Sequence, residues 1–308
     1  NTKYEIRNTK YEIRNTKYEI VKIYKPVYPN ANITQKGSDI KKGNKIIEKN
    51  SLLNPAKIGV LAACGLTDIF VYRLPIVGVI PTGNEIQEPG EKLEKGKIYD
   101  VNTFTLSALI KTVGAIPRIY KKAEDTFESL TEKIKIAINN CDIVILSGGS
   151  SVGEYDFLEK VLAKLGSVLF HGIAVKPGKP TIAAKIDKKK NGNVHSSIII
   201  LGMPGYPVSC LTNAYGLLTD ILQKMMFRGF YEYPTVILPM ARRITSSIGR
   251  HLFLPVKIIN GEVHSSFKES GAITSLAEAD GFIEIPGNVE SVEKGELVTV
   301  KLFATRRI

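Results

Sequence analysis

The residues best able to do chemistry in this chain are carboxylates, glycines and lysines gathered in short polar segments. Thr82, Gly83 and Glu85 lie in Pro81-Thr82-Gly83-Asn84-Glu85. Asp100 lies in Tyr99-Asp100-Val101-Asn102, and Asp125 follows Glu124. A glycine-rich stretch runs through Ser147, Gly148, Gly149, Ser150, Ser151, Val152 and Gly153 to Asp156. Lys176 and Lys179 sit in Lys176-Pro177-Gly178-Lys179-Pro180. Pro204, Gly205 and Ser209 share Pro204-Gly205-Tyr206-Pro207-Val208-Ser209. Glycine lets backbone N–H groups approach a ligand with no Cβ in the way, and ahead of a helix such a loop suits a phosphate. The lysines supply compact positive charge for a phosphate or another oxyanion. Glu85, Asp100, Asp125 and Asp156 would repel phosphate unless a hard cation intervenes, and Mg²⁺ bridging carboxylate and phosphate is the natural solution. Each segment also has a plainer reading. A Gly-Gly turn can be only a turn, Asp100, Asn102 and Asp125 only helix caps, and the lysines only solvated. Their grouping at one sheet edge favours the binding reading.

The elements that must position these segments follow from hydrophobic periodicity. Residues 74–228 alternate unbroken apolar strands (PIVGVIP, AIPRIY, CDIVILS, SSIIILGM) with amphipathic helices. The first helix carries Leu106, Leu109, Ile110 and Val113 and ends at Gly114; the next carries Phe127, Leu130, Ile134 and Ala137. A long helix is expected from Pro207 to about Met226. This pattern predicts an α/β domain whose central, mostly parallel sheet has helices on both faces. Ligands then bind beyond the carboxyl ends of the strands, where the polar segments fall. Residues 229–308 switch to short alternating stretches separated by Gly, Asn and Pro, which predicts a small all-β barrel or sandwich. Residues 21–73 read as part of a further domain. It has a strand over VKIYKPVYPN, a turn at Gly37-Ser38-Asp39, and a helix capped by Asn54 with Pro55 at its first position. That helix should bury Ile58, Leu61 and Ala62 and stop at Gly65. Residues 1–20 repeat the unit NTKYEIR and read as an atypical, flexible leader.

Composition bounds these readings. With 44% hydrophobic and 23% charged residues, the chain matches ordinary globular proteins and excludes disordered, collagen-like and disulfide-scaffold classes. The formal charge of +12 points to an anionic partner, although two complete NTKYEIR copies at +1 each supply +2 of it. Lys188, Lys189 and Lys190 read as a solvated loop. No nucleic-acid signature stands out, and no apolar run approaches the roughly 18 residues that span a bilayer. Cys64, Cys141 and Cys210 fit reduced thiols buried as small hydrophobes in a cytoplasmic protein. The four histidines form no metal or catalytic motif, and neither a Walker A sequence nor GxGxxG occurs.

Taken together and in order, PTGNEI, EPG, GKIYDVN, DIVILSGGSSVGEYD, KPGKP and PGYPVS resemble the molybdopterin molybdotransferase family, which comprises the MoeA proteins and the gephyrin E domain. The resemblance covers roughly residues 21–305, including GSDI, VYRLPIVGVI and the GAITSLAEADGFIEIP segment. It implies a molybdopterin-binding fold and insertion of molybdate, or tungstate, into adenylated molybdopterin with release of AMP and help from Mg²⁺. It also implies a cytoplasmic homodimer in contact with other molybdenum-cofactor enzymes, and no nucleic acid or membrane partner. Carried over residue by residue, Glu85, Asp100, Asp125, Asp156 and Lys176 would be catalytic, the first three also holding metal. Thr82, Gly83, Ser147, Gly148, Gly149, Ser150, Gly153, Lys179, Pro204, Gly205, Ser209 and Ser275 would bind substrate, and Asp39 would come from the neighbouring subunit. Gly172 stands where some members have a second lysine, and Tyr206 replaces a commoner Asn. Members also carry a further domain upstream of Val21, where this chain has its repeat, so the resemblance implies a partial N-terminal domain. Two alternatives stay open at this point: a molybdopterin adenylyltransferase, and a non-catalytic pterin-binding or scaffold protein.

Overall fold

A computed structural model describes residues 10–11, 21–22, 24, 26–148, 152–190, 193–229 and 232–303. Contacts divide the chain into two units, Asn1–Phe70 and Val71–Ile308. In the first unit Lys10–Tyr11 pairs antiparallel with Val21–Lys22. The strand expected over VKIYKPVYPN does not continue, because residues 26–28 are irregular and lead into a turn at Asn30 (φ +68°). A helix does form at Pro55–Ala63, and the Asn54 side chain accepts from the Lys57 N–H at 2.9 Å. It buries none of its residues, and Ile58 is exposed, contrary to expectation.

The second unit begins with the α/β domain. Its strands are β1 (Ile76–Pro81), β2 (Ile116–Ile119), β3 (Ile143–Ser147), β4 (Ser167–His171), β5 (Ile182–Lys190) and β6 (Asn193–Met203). They lie in the order β2-β1-β3-β6-β5-β4. The first four are mutually parallel, while β5 runs antiparallel to both its neighbours. The sheet is therefore mostly parallel, and the exception is the segment carrying Lys188–Lys190. Those lysines extend β5 beside β6 instead of forming a loop. Helices α1 (Asn102–Val113), α2 (Phe127–Asn140) and α3 (Val152–Leu165) alternate with the strands. One apolar layer packs α1 and the 207–226 helix on one face of the sheet through Leu106, Ile110, Val208 and Leu218. A second packs α2 and α3 on the other through Leu130, Ile134, Val161 and Leu162. Each face of β3 supplies alternate residues, Ile143 and Ile145 to one layer, Val144 and Leu146 to the other, so all four are buried as a period of two requires. Gly114 ends α1 in the left-handed region (φ +95°), as its position predicts.

The amino-terminal ends of the strands are closed by an ion pair. Arg73 grips the Asp142 carboxylate with two bonds of 2.5 and 2.6 Å, and one of those oxygens also accepts from the Ile76 N–H at 2.8 Å. The guanidinium holds the Asp142 carboxyl below the ordinary aspartate range, and the Ile76 N–H adds to this. Lys188 donates to the Cys141 carbonyl and Arg118 to that of Asn140, both at 3.1 Å.

The expected long helix after β6 is broken in the middle. It consists of α4 (Pro207–Asn213), a π-helical turn at Ala214–Leu218 and α5 (Thr219–Met225). The wider turn leaves the Tyr215 carbonyl to the Thr219 and Tyr233 hydroxyls. The main sheet of the C-terminal region consists of β7 (Thr235–Pro239), β8 (His251–Ile259), β9 (Glu262–Ser265), β10 (Gly281–Ile285) and β11 (Leu297–Leu302), in the order β7-β11-β10-β8-β9. A bridge between Met240 and Val263 joins the two outer strands and turns the sheet into the expected barrel. Val175–Lys176, in the segment after β4, pairs parallel with β8. No helix among the described residues is long and apolar enough to cross a membrane.

Candidate functional site

The polar segments meet at the carboxyl edge of the parallel strands, and their backbones are laced together there. The Thr82 N–H donates to the Ser147 carbonyl and the Ala123 N–H to the Pro81 carbonyl, both at 2.9 Å. Gly148 (φ +143°) lies so close to Thr82 that a Cβ would stand 1.7 Å from the Thr82 carbonyl oxygen. No other residue fits that contact. The Glu85 carboxylate folds over Gly83 (φ +120°), where a Cβ would lie 2.7 Å from its nearer oxygen. The Asp125 carboxylate accepts the Asn84 N–H at 2.8 Å, which ties the loop after β2 to the loop after β1. Asp125 is therefore not the cap of α2; Thr126 performs that role. Lys97 donates to the Asn84 carbonyl, and Lys122 to that of Ile86 at 2.8 Å.

Asp100 and Asn102 open α1 in different ways. Asp100 caps it, accepting the Thr103 N–H at 3.0 Å. Asn102 instead donates across to the Gly205 carbonyl at 2.8 Å, fastening the Pro204-Gly205 turn to the helix. Its own side-chain oxygen is buried without a partner, as are the hydroxyls of Thr103 and Ser107. Ser147 is buried and its hydroxyl lies 3.6 Å from the Cys210 sulfur. Burial pushes the Cys210 thiol up to about 12, and the nearby Asp100 charge adds to this, against the Ser147 hydrogen bond. Cys210 is thus an inert neighbour of the site. Cys141 is buried as expected, but Cys64 is exposed.

The lysine segment is held from two sides. Lys176 donates to the Ser247 hydroxyl at 2.9 Å, beside the Val175–Lys176 pairing with β8. On the α/β side, the buried Asn213 at the end of α4 donates to the Gly178 carbonyl at 2.7 Å. Lys179 remains exposed. The barrel also reaches the Pro204–Ser209 turn, because the Ser270 carbonyl takes the Val208 N–H at 3.0 Å. That donor is therefore spent, which weakens this turn as a phosphate cradle. Ser209 is buried on α4, Pro204 is buried ahead of it, and Tyr206 is exposed. Ser275 is fully buried and its hydroxyl accepts the Lys268 N–H at 3.0 Å, so it braces the barrel loop. Asp39 is exposed in its turn in the first unit. Gly149 and Ser150 lie outside the described residues, as do the side-chain surroundings of Asp156; Gly153 and Asp156 belong to the first turns of α3.

Glu85, Asp100 and Asp125 are the three carboxylates expected to hold metal. Among the described residues no three of His, Cys, Asp or Glu gather to hold an ion. Asp100 and Asp125 each commit an oxygen to a backbone N–H. The donor chemistry still suits a hard cation, since Mg²⁺ is commonly held by one or two carboxylates with substrate phosphates completing its shell. Sequence reasoning missed Asn213, Thr181, Lys97, Lys122, Ser247 and Ser270. Of these only Lys97 lies in a motif, GKIYDVN, and a buried Asn in an apolar helix reads like any polar residue on its solvent face.

Family models match along the chain. They are the MoeA N-terminal region (domain I and II) at residues 5–65, a probable molybdopterin binding domain at 78–224, and the MoeA C-terminal region (domain IV) at 238–303. A Methanocaldococcus jannaschii protein named for molybdopterin biosynthesis is 35% identical over 292 residues, covering 92% of this chain and 69% of that one. A molybdopterin molybdenumtransferase of Haemophilus influenzae is 33% identical over 289 residues, covering 89% and 68%. The crystal structure of a molybdopterin biosynthesis MoeA protein from Pyrococcus horikoshii superposes with a TM-score of 0.76 at 37% identity, covering 96% of this chain and 71% of that one.

Proposed function

Because the chain belongs to the MoeA family of molybdopterin molybdenumtransferases, we propose that it inserts molybdenum into molybdopterin during molybdenum cofactor biosynthesis. The substrate form is adenylated molybdopterin, and AMP leaves as molybdate, or tungstate, is taken up by the dithiolene. What carries this reading is the meeting, at one sheet edge, of two glycine loops with a lysine segment locked between α4 and the barrel. Glycine loops that let a ligand reach the backbone, with lysines beside them, suit a substrate that is anionic at both its phosphates and its incoming oxyanion. The C-terminal barrel, with its own family match, separates this reading from an adenylyltransferase.

Each residue then has a stated task. Lys176 and Lys179 hold the oxyanion and offset its charge. The Thr82–Gly83 and Ser147–Gly148 loops, with Gly149, Ser150 and Gly153, seat the phosphates, and Pro204, Gly205 and Ser209 the pterin side. Mg²⁺, when bound, neutralises the phosphates at the bond that breaks. Glu85 and Asp125 would hold it, Asp100 sets the start of α1, and Asp156, in the first turns of α3, would be catalytic in the hydrolysis that frees AMP. A cytoplasmic homodimer would bring Asp39 to the site from the neighbouring subunit, while Ser275 would serve the substrate from its own barrel loop, where it accepts the Lys268 N–H. Incubation with adenylated molybdopterin, Mg²⁺ and molybdate should release AMP. Adenylation of molybdopterin from ATP with no AMP release from the adenylated pterin would sink the proposal.

A further inference from the structure

One buried group near the site has no part in the roles above. Asn213 ends α4 with 4% of its surface exposed, and the side chain lies under the lysine segment. Its amide nitrogen donates to the Gly178 carbonyl at 2.7 Å and to the Thr181 hydroxyl at 2.6 Å. Thr181, fully buried, donates in turn to the same Gly178 carbonyl at 3.0 Å. A carbonyl can only accept, so the Asn213 atom facing it is the NH₂ group. Both of that group's hydrogens are used, and the three residues form a closed triangle.

The triangle fixes a backbone conformation that the segment would not hold by itself. Gly178 has φ +111°, and a Cβ there would sit 2.4 Å from the Asn213 amide. A trans peptide sets its C=O and N–H on opposite sides. Drawing the Gly178 carbonyl inward therefore turns the Lys179 N–H away from Asn213. Among the described residues no backbone acceptor takes that N–H. The Lys179 carbonyl is also held, accepting the Ile173 N–H at 2.9 Å and the Thr181 N–H at 2.8 Å.

We propose that Asn213, with Thr181 as its partner, is the positioning residue of the lysine segment. It holds the Gly178–Lys179 peptide so that Lys176 and Lys179 stand ready for the incoming oxyanion. This inference rests on the function proposed above for that segment. It touches neither substrate nor reacting atoms; it acts through Gly178. An Asp in its place keeps the shape but sets an acceptor against the Gly178 carbonyl, which pushes the peptide out of place.

The test measures AMP release against molybdate concentration, together with hydrogen–deuterium exchange, in the full chain. In Asn213→Asp, KM for molybdate should rise about tenfold with kcat within about twofold, the size expected from one lost buried hydrogen bond. Deuterium uptake should rise over residues 174–181 and stay unchanged in β3 and β6. Thr181→Val should move both readouts the same way by a smaller factor, and it decides the matter if the Asp variant does not fold. Unchanged KM and unchanged loop uptake would overturn the inference. So would a fall in kcat with uptake rising across the whole domain, which marks a merely structural residue. If the wild type releases no AMP, the proposed function fails, and loop uptake in the two variants still decides whether Asn213 holds the segment.

Discussion

The two ends of the central sheet are built on opposite plans. At the amino-terminal end, charge is spent on closure: Arg73 grips Asp142, Asp142 takes the Ile76 N–H, and Lys188 and Arg118 cap the carbonyls of Cys141 and Asn140. At the carboxyl end, Asp125 and Asp100 each take one backbone N–H instead of a cation, and Gly148 brings backbone against backbone. Buried polar atoms of Asn102, Thr103 and Ser107 are left without partners on the helix that opens there. Such unsatisfied groups cost stability. One end holds the fold together, and the other keeps its polar groups available for a ligand.

The comparison is broken most severely at Gly148. Gly148→Ala should remove measurable AMP release and lower the denaturation midpoint sharply, because its Cβ would overlap the Thr82 carbonyl at 1.7 Å. A stability loss of about 4 kcal/mol or more is expected, read by urea titration. Asp125→Ala comes next. It should cut kcat at least about 100-fold, while the melting temperature falls by only a few degrees, since the deleted bond to the Asn84 N–H is a single surface contact. Near wild-type turnover in this variant would remove Asp125 from the proposed chemistry.

At the closed end the effects should be smaller and of the other kind. Arg73→Ala should leave kcat unchanged and cost about 1 kcal/mol, kept low because the Arg73 side chain is 68% exposed. The sign of its pH dependence follows from Asp142. A carboxyl held below its ordinary range stabilises the fold above the unfolded aspartate value near 4 and loses that stabilisation as pH falls through its lowered value. Wild type and Arg73→Ala should therefore differ in stability at neutral pH and converge in acid. The smallest effect is a labelling contrast. With its thiol raised to about 12, Cys210 should resist iodoacetamide at pH 8 in the folded protein, while exposed Cys64 reacts, as read by mass spectrometry.

Much of this layout was legible in the sequence because burial on both faces writes itself as unbroken apolar runs. IVILS and its neighbours could be little else than central strands, and Gly114 marked the end of α1. The antiparallel strand β5 was not legible, since a run ending in three lysines carries the signature of a loop. Its place comes from pairing with β6, which no local pattern records. At the site, the glycines announced themselves by type, but the purpose of Gly148 did not. It serves a contact with Thr82, 66 residues earlier by number. Asn213 and Ser270 were invisible for the same reason: their partners are distant in sequence and chosen by the fold. The apolar residues of the Pro55–Ala63 helix predicted burial by periodicity, yet periodicity cannot say what surface answers them.

The two-residue pairing of Val175–Lys176 with β8 has a mechanical consequence. By chain position these residues belong to the α/β domain, and by hydrogen bonding they are a strand of the barrel. A tilt of the barrel must therefore drag the lysine segment with it, while Asn213 anchors the other end three residues on, at Gly178. The segment is a short tether under two holds, and it converts a rocking of one domain into a change of lysine spacing at the other's edge.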